Sequence, residues 1–216
     1  MDTVLCEEEV RVLGCLIEKE MATPEYYPLT LNALLNACNQ KTNRDPVVAY
    51  DEDIVLRALD GLKEKQAARQ VNLGRVPKFE ERFVEESNFN RQEAAVMATL
   101  MLRGPQTAGE IRIRSERLYA FGSLGEVQDT LESLASVDRI MRMPRRPGQK
   151  EVRFGHLMAG VPEDRKGETL PLHDQTAVNP AAHEDRLAVL EKKVERLSME
   201  TAALKEAFSE FKKQFE

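Results

Sequence analysis

RQEAAVMATLMLRGPQTAGEIRIRSERL (91–118) is the stretch from which the fold can be read. Ala94, Met97, Leu100 and Met101 recur at helical spacing, which predicts an amphipathic helix laid on a core. Gly104 and Pro105 stop it, because glycine accepts a left-handed backbone at a helix end and proline forbids another turn. Thr107 with Glu110 three residues on forms a capping box, whose hydroxyl and carboxylate satisfy orphan amides at the start of a second helix. Further along, Ser123 opens a third helix marked by Val127, Leu131 and Leu134. Two short strands at 139–143 and 151–157 then flank the turn residues Pro147 and Gly148.

The same order precedes it. Val10, Leu13, Leu16 and Ile17 mark a first helix, Thr30 opens a second ahead of Leu31, Leu34 and Leu35, and Asp51 caps a third carrying Val55, Leu59 and Leu62. Strands at 68–73 and 76–82 flank Gly74 and Arg75. Three helices followed by a two-stranded ribbon is the order of a winged helix, a helix-turn-helix variant, and it stands here twice in tandem. The fold class is therefore mainly α with small β-hairpins (α+β): a first winged-helix domain at 1–86 and a second at 87–158. The first copy carries two polar, Pro-bearing insertions, TPEYYPLT (23–30) and NQKTNRDPVV (39–48), where a plain helix-turn-helix has tight turns.

Residues 159–179, with Gly160, Pro162, Gly167 and Pro171, have the composition of a linker. Beyond it, Leu187, Leu190, Val194, Leu197, Thr201, Leu204, Phe208, Phe211 and Phe215 step alternately by three and four residues. That is a heptad pattern, so 180–216 reads as a coiled-coil helix and the chain as a homodimer or higher homo-oligomer. The alternative is a single amphipathic helix folded back on the two domains.

Composition excludes several classes. Of 216 residues 31 % are charged, no run is apolar enough for a bilayer-crossing helix, and the start lacks a secretory signature, so a cytoplasmic location is expected. Cys6, Cys15 and Cys38 are odd in number and lack metal-ligand spacing, so they read as free thiols. The histidines, His156, His173 and His183, make no preorganised triad, and the last two lie in or beside the linker. GPQTAG (104–109) has the glycine spacing of a phosphate loop but Glu110 and Ile111 replace its lysine and hydroxyl. The reading is non-enzymatic, with no cofactor and no metal.

A net charge of −6 gives no global attraction to nucleic acid. Locally the balance reverses: Arg139, Arg142, Arg145, Arg146, Lys150 and Arg153 face only Asp138 and Glu151 along the second hairpin. Guanidinium groups on such a ribbon neutralise phosphate and release counterions, although a solvated hairpin is often charged for no other reason. The third helices argue against base reading, since Asp51, Glu52 and Asp53 in one and Glu126, Asp129 and Glu132 in the other repel phosphate.

RVLGCLIEKE (11–20), YYPLTLNALLNACNQKTNRDPVV (26–48), RVPKFEER (75–82), RGPQTAGEIRIRSERL (103–118) and RRPGQKEVRFGHL (145–157) resemble the YceH-like family of bacterial proteins. The resemblance spans 1–158 and leaves the C-terminal helix out. It implies tandem winged helices without an established activity, and no catalytic residues to carry over. The family's hallmark strings fall on Asn36, Asn39, Gln40, Lys41, Asn43, Arg44 and Asp45, and on Arg103, Gln106, Thr107, Arg112, Arg114 and Arg117. Asn39, Gln40, Lys41, Asn43 and Arg44 offer amides and cations that suit a phosphate or a peptide backbone, or else hold the loop to itself. Arg112 and Arg114 extend the basic surface, or pair with Glu110 and Glu116. Two functions are thus expected: a DNA-associated or regulatory protein docking through the basic wing, or a protein-interaction adapter using the paired domains, Tyr26, Tyr27 and the Asn39–Asp45 loop.

Overall fold

The computed structural model describes residues 4–72, 75–145 and 151–162. The heptad positions from Leu187 to Phe215, and the wing residues Arg146 and Lys150, lie outside them. Residues 1–163 fall in one compact unit. It is mainly helical, with two small three-stranded antiparallel sheets.

The first copy of the repeat runs α1 (Glu7–Ala22), β1 (Leu29–Thr30), α2 (Leu31–Cys38), α3 (Glu52–Glu64), β2 (Ala68–Val71) and β3 (Lys78–Glu81). A one-turn helix α4 (Phe83–Glu86) leads to the second copy. That copy is α5 (Arg91–Arg103), β4 (Gln106–Thr107), α6 (Ala108–Arg114), α7 (Leu124–Ser136), β5 (Ile140–Arg142) and β6 (Arg153–His156). Sheet order is β1-β3-β2 in one and β4-β6-β5 in the other, so each hairpin's returning strand lies in the middle.

The caps sit where local chemistry puts them. Thr30, Asp51, Thr107 and Ser123 each accept the amide of the third residue on, and Thr107 and Glu110 close the expected box. Gly104 ends α5 at φ 68, a backbone that side-chain-bearing residues avoid. The third strand of each sheet departs from the two-stranded expectation. β1 and β4 are two residues long and run straight into a helix, too short to show any alternation of apolar and polar residues, and they pair through Leu29 with Phe79 and Gln106 with Phe154.

α1 and α5 are the centre of the unit. Val10 to Ile17 and Ala94 to Leu102 are buried without a break, so both helices are enclosed on all sides rather than amphipathic. Gly14 is where they come closest: a Cβ there would lie 3.0 Å from Cβ of Met101 and 3.1 Å from Cδ2 of Leu102. Around this pair Leu34, Val55, Leu59 and Leu62 close the core of the first copy, and Ile111, Val127, Leu131 and Leu134 that of the second. The Leu5 amide donates to the Met158 carbonyl at 2.7 Å, tying the beginning of the unit to its end. No described helix is long and apolar enough to cross a membrane.

Candidate functional site

The hairpin of the second copy carries the basic side chains outward. Its ladder pairs Ile140 with His156 and Arg142 with Phe154. Ile140 is buried against the core, whereas two residues further out Arg142 is exposed. The Arg142 guanidinium lies over the Phe154 ring, 5.6 Å from its centroid, and reaches Glu132 of α7 at 3.8 Å. Arg145 follows it into solvent, while Arg139 at the base of the ribbon and Arg153, whose carbonyl accepts the Met143 amide further out, are partly buried. Beside them α7 exposes Asp129 and Glu132. Its Glu126 is engaged elsewhere, accepting from the Gly122 amide at 2.8 Å, from Gln92 and from the Tyr119 hydroxyl.

The polar loop of the first copy has a different character. Asn39 pairs with the backbone of Tyr50 in both directions, each bond 2.8 Å, in the manner of a strand partner. Arg44 turns inward and is buried: it forks onto Glu18 of α1 at 3.1 and 2.6 Å, donates twice to the Ala37 carbonyl and once to that of Asn43. The expectation that Arg44 meets an external phosphate or peptide is therefore corrected, because its donors are spent on holding the loop. Asn43, with φ 62, and Lys41 remain exposed, and Gln40 is partly covered.

The two hallmark strings meet here. Arg103, at the last turn of α5, donates through Nη2 to Oδ1 of Asn43, and the Asp45 amide donates to the Leu102 carbonyl at 2.9 Å. Arg114 of α6 donates to Oε1 of Gln106 and lies 3.2 Å from Glu110, the expected i, i+4 pair. Burial, then the neighbouring charges of Arg114 and Arg44, hold the Arg103 guanidinium below its ordinary range, so these cations crowd one another. Arg112 points away, with a bond to the Gly122 carbonyl at 3.3 Å. A line of contacts thus runs from Asn43 through Arg103 to Gln106, which also holds Arg114, and on to Phe154 and Arg142. In the sequence Arg103 stands only among the hallmark positions; its link to Arg114 through Gln106 follows from packing.

Two other groups are strongly perturbed. Burial, aided by Glu20, pushes Glu81 up to about 8, and its Oε2 accepts the Val84 amide at 2.8 Å. Burial lowers His156 to about 4, and its Nδ1 has no hydrogen-bond partner among the described residues. Both lie in packed backbone junctions. A small open cavity of about 230 Å³ lined by Cys6, Glu8, Ile54, Arg57 and Ala58 is below the usual size of a small-molecule pocket. Among the described residues no group of three or more His, Cys, Asp or Glu is placed to hold a metal ion.

A family model described as "Protein of unknown function, DUF480" matches residues 5–149. The chain is 49 % identical to a UPF0502 protein of Geobacter sulfurreducens over 219 aligned positions, covering all of both chains. It is 48 % identical to one of Solibacter usitatus over 217, again end to end. A UPF0502 protein of Opitutus terrae is 51 % identical over 174, covering 78 % of this chain and 75 % of its own. The full-length matches extend through the C-terminal heptads.

Proposed function

We propose that this chain, which belongs to the DUF480 family of proteins of unknown function, is a non-enzymatic, DNA-associated protein that grips the sugar-phosphate backbone rather than the bases. The repeated order of helix, strand, helix, helix, strand, strand, with the returning strand central, supports reading each copy as a winged helix. In that frame α3 and α7 are the groove-facing helices, and they expose Glu52, Asp53, Asp60, Asp129 and Glu132. Carboxylates there repel phosphate. The observation that carries the proposal is the wing: Arg142 and Arg145 project from the second hairpin into solvent. Arg103 and Arg114, joined through Gln106, supply a second place for an anion.

Binding of this kind is positioned by phosphates, so it depends steeply on salt and little on sequence. Fluorescence anisotropy with two unrelated duplexes tests it. Comparable affinities that fall together as salt rises support the proposal; no binding at low ionic strength removes it. The heptads at 187–215 add self-association, which sets two wings on one duplex and raises weak binding through effective concentration.

A second reading is favoured by one feature. Tyr26 is 72 % exposed beside a Tyr27 whose hydroxyl is fixed on the Glu81 amide, and Val47 and Val76 are exposed on the same copy. Aromatic and apolar groups of this kind anchor protein interfaces, so the paired domains would act as an adapter. Capture of a stoichiometric protein partner that survives nuclease and is lost in Tyr26→Ala distinguishes this reading from the first.

A further inference from the structure

Gln106 stands on β4, an edge strand of two residues, yet it is only 4 % exposed. Its Nε2 donates to the Arg103 carbonyl at 3.0 Å and to the Pro105 carbonyl at 3.1 Å. With the donors so placed, Oε1 is fixed where it accepts Nη1 of Arg114. Asn43 does the same for Arg103 from the other copy of the repeat, its Oδ1 accepting Nη2. The loop beneath Asn43 is itself held, by the Asp45 amide on the Leu102 carbonyl at 2.9 Å and by buried Arg44 on Glu18 at 2.6 Å. Two guanidinium groups, one from α5 and one from α6, are thus aimed by two amides that cannot easily move.

An amide oxygen orients a guanidinium without cancelling its charge. Arg44 shows the contrast, because a carboxylate meets it and it is closed off from solvent. At the junction, among the described residues, one carboxylate is in contact with the two cations: Glu110, 3.2 Å from Arg114. Arg103 and Arg114 are both partly exposed, and the five N–H donors on each exceed the bonds they make. Planar donors with charge to spare match an oxyanion, and phosphate above all.

We infer that Arg103 and Arg114 form a seat for the backbone phosphates of duplex DNA, with Asn43 and Gln106 as the residues that position them; the inference rests on reading the second hairpin as a phosphate-gripping wing. Register places the seat beside that wing. Gln106 lies opposite Phe154 on one side of β6 and Arg142 lies opposite it on the other. Two strand spacings, about 10 Å, therefore separate β4 from β5. One DNA strand carries a phosphate every ~3.4 Å along the helix axis, so a strand gripped by Arg142 reaches the seat about three nucleotides on. The 39–48 insertion of the first copy in this way serves the DNA contact of the second.

The test replaces Asn43 with aspartate, which tolerates the left-handed backbone at φ 62 and holds Arg103 at least as firmly, but cancels its charge. Asn88→Asp is the matched control: it is exposed, at φ 55, and precedes the start of α5 whereas Arg103 ends that helix. Arg103→Gln reads the same contact without touching the loop. Binding of the full chain to two unrelated duplexes is followed by fluorescence anisotropy as salt rises, and thermal unfolding confirms that each variant is folded. Asn43→Asp and Arg103→Gln should weaken binding to both duplexes alike, each with a log affinity against log salt slope shallower by about one, and Asn88→Asp should keep the parent's slope. If Asn43→Asp and Arg103→Gln both keep the parent's slope while Arg142→Ala with Arg145→Ala lowers it, the seat is overturned and the wing stands. Equal losses in Asn43→Asp and Asn88→Asp, with Arg103→Gln unchanged, overturn the seat as well. A parent that binds neither duplex at low salt removes both.

Discussion

Replacing Arg44 with methionine asks whether the 39–48 loop is held from inside. The native guanidinium has no exposed surface, forks onto both oxygens of Glu18 and gives three bonds to the carbonyls of Ala37 and Asn43. Methionine keeps the apolar stem and none of the donors. Removing one partner of a buried pair typically costs about 3–5 kcal/mol. Glu18 keeps 15 % of its side-chain surface and has Lys19 at 3.4 Å, so the loss falls at the lower end of that range. The abandoned Ala37 carbonyl adds about 1 kcal/mol. A total of about 3–4 kcal/mol, read at a urea slope of about 2 kcal/mol/M, lowers the unfolding midpoint by roughly 1.5–2 M. The double change Glu18→Gln with Arg44→Met should lie well above the sum of the two single changes, since neither partner is then left charged and buried. A midpoint for Arg44→Met within about 0.3 M of the parent refutes the reasoning and returns Arg44 to the surface.

Gly14→Leu should cost about 2–3 kcal/mol by thermal unfolding, because α1 has no room for a side chain against Met101 and Leu102. Gly14→Ala should cost less, since the gain in helix propensity of about 1 kcal/mol offsets part of the crowding. His156, lowered to about 4, takes its proton in the unfolded chain first as pH falls. Its contribution is complete above about pH 6.5 and lost towards 4, so the stability difference between the parent and His156→Gln should shift against the parent by up to about 3 kcal/mol across that window. Glu81, raised to about 8, acts with the opposite sign: its folded form holds a proton that the unfolded chain releases near the ordinary carboxyl value, so stability is lost as pH rises from there through 8, and Glu81→Gln should flatten that fall. Sedimentation of the full chain at micromolar concentration should give an oligomer, and a chain ending at Asn179 a monomer.

What the sequence disclosed was local. Thr30, Asp51, Thr107 and Ser123 cap the helices they were expected to cap, because a cap needs only its own side chain and an amide three residues on. The strands at Leu29 and Gln106 escaped notice, since two residues carry no period and their partners lie far along the chain. The same holds for charge. Arg44 in a run of polar turn residues reads as a ligand for something outside, yet Glu18 draws it inward from another helix. Arg142 and Arg145 are where the hairpin was expected to put them, at the exposed end of a ribbon whose base is packed.

The wing decides the account. Arg142→Ala with Arg145→Ala should leave folding nearly intact, because the Arg142–Glu132 contact at 3.8 Å is exposed and worth about 0–1 kcal/mol. The decisive quantity is the slope of log affinity for duplex DNA against log salt, measured for the parent and for this double variant on two unrelated sequences. The proposed phosphate grip predicts weaker binding to both and a slope shallower by up to ~2, about one for each lost phosphate contact. An unchanged slope, or a loss confined to one sequence, contradicts it.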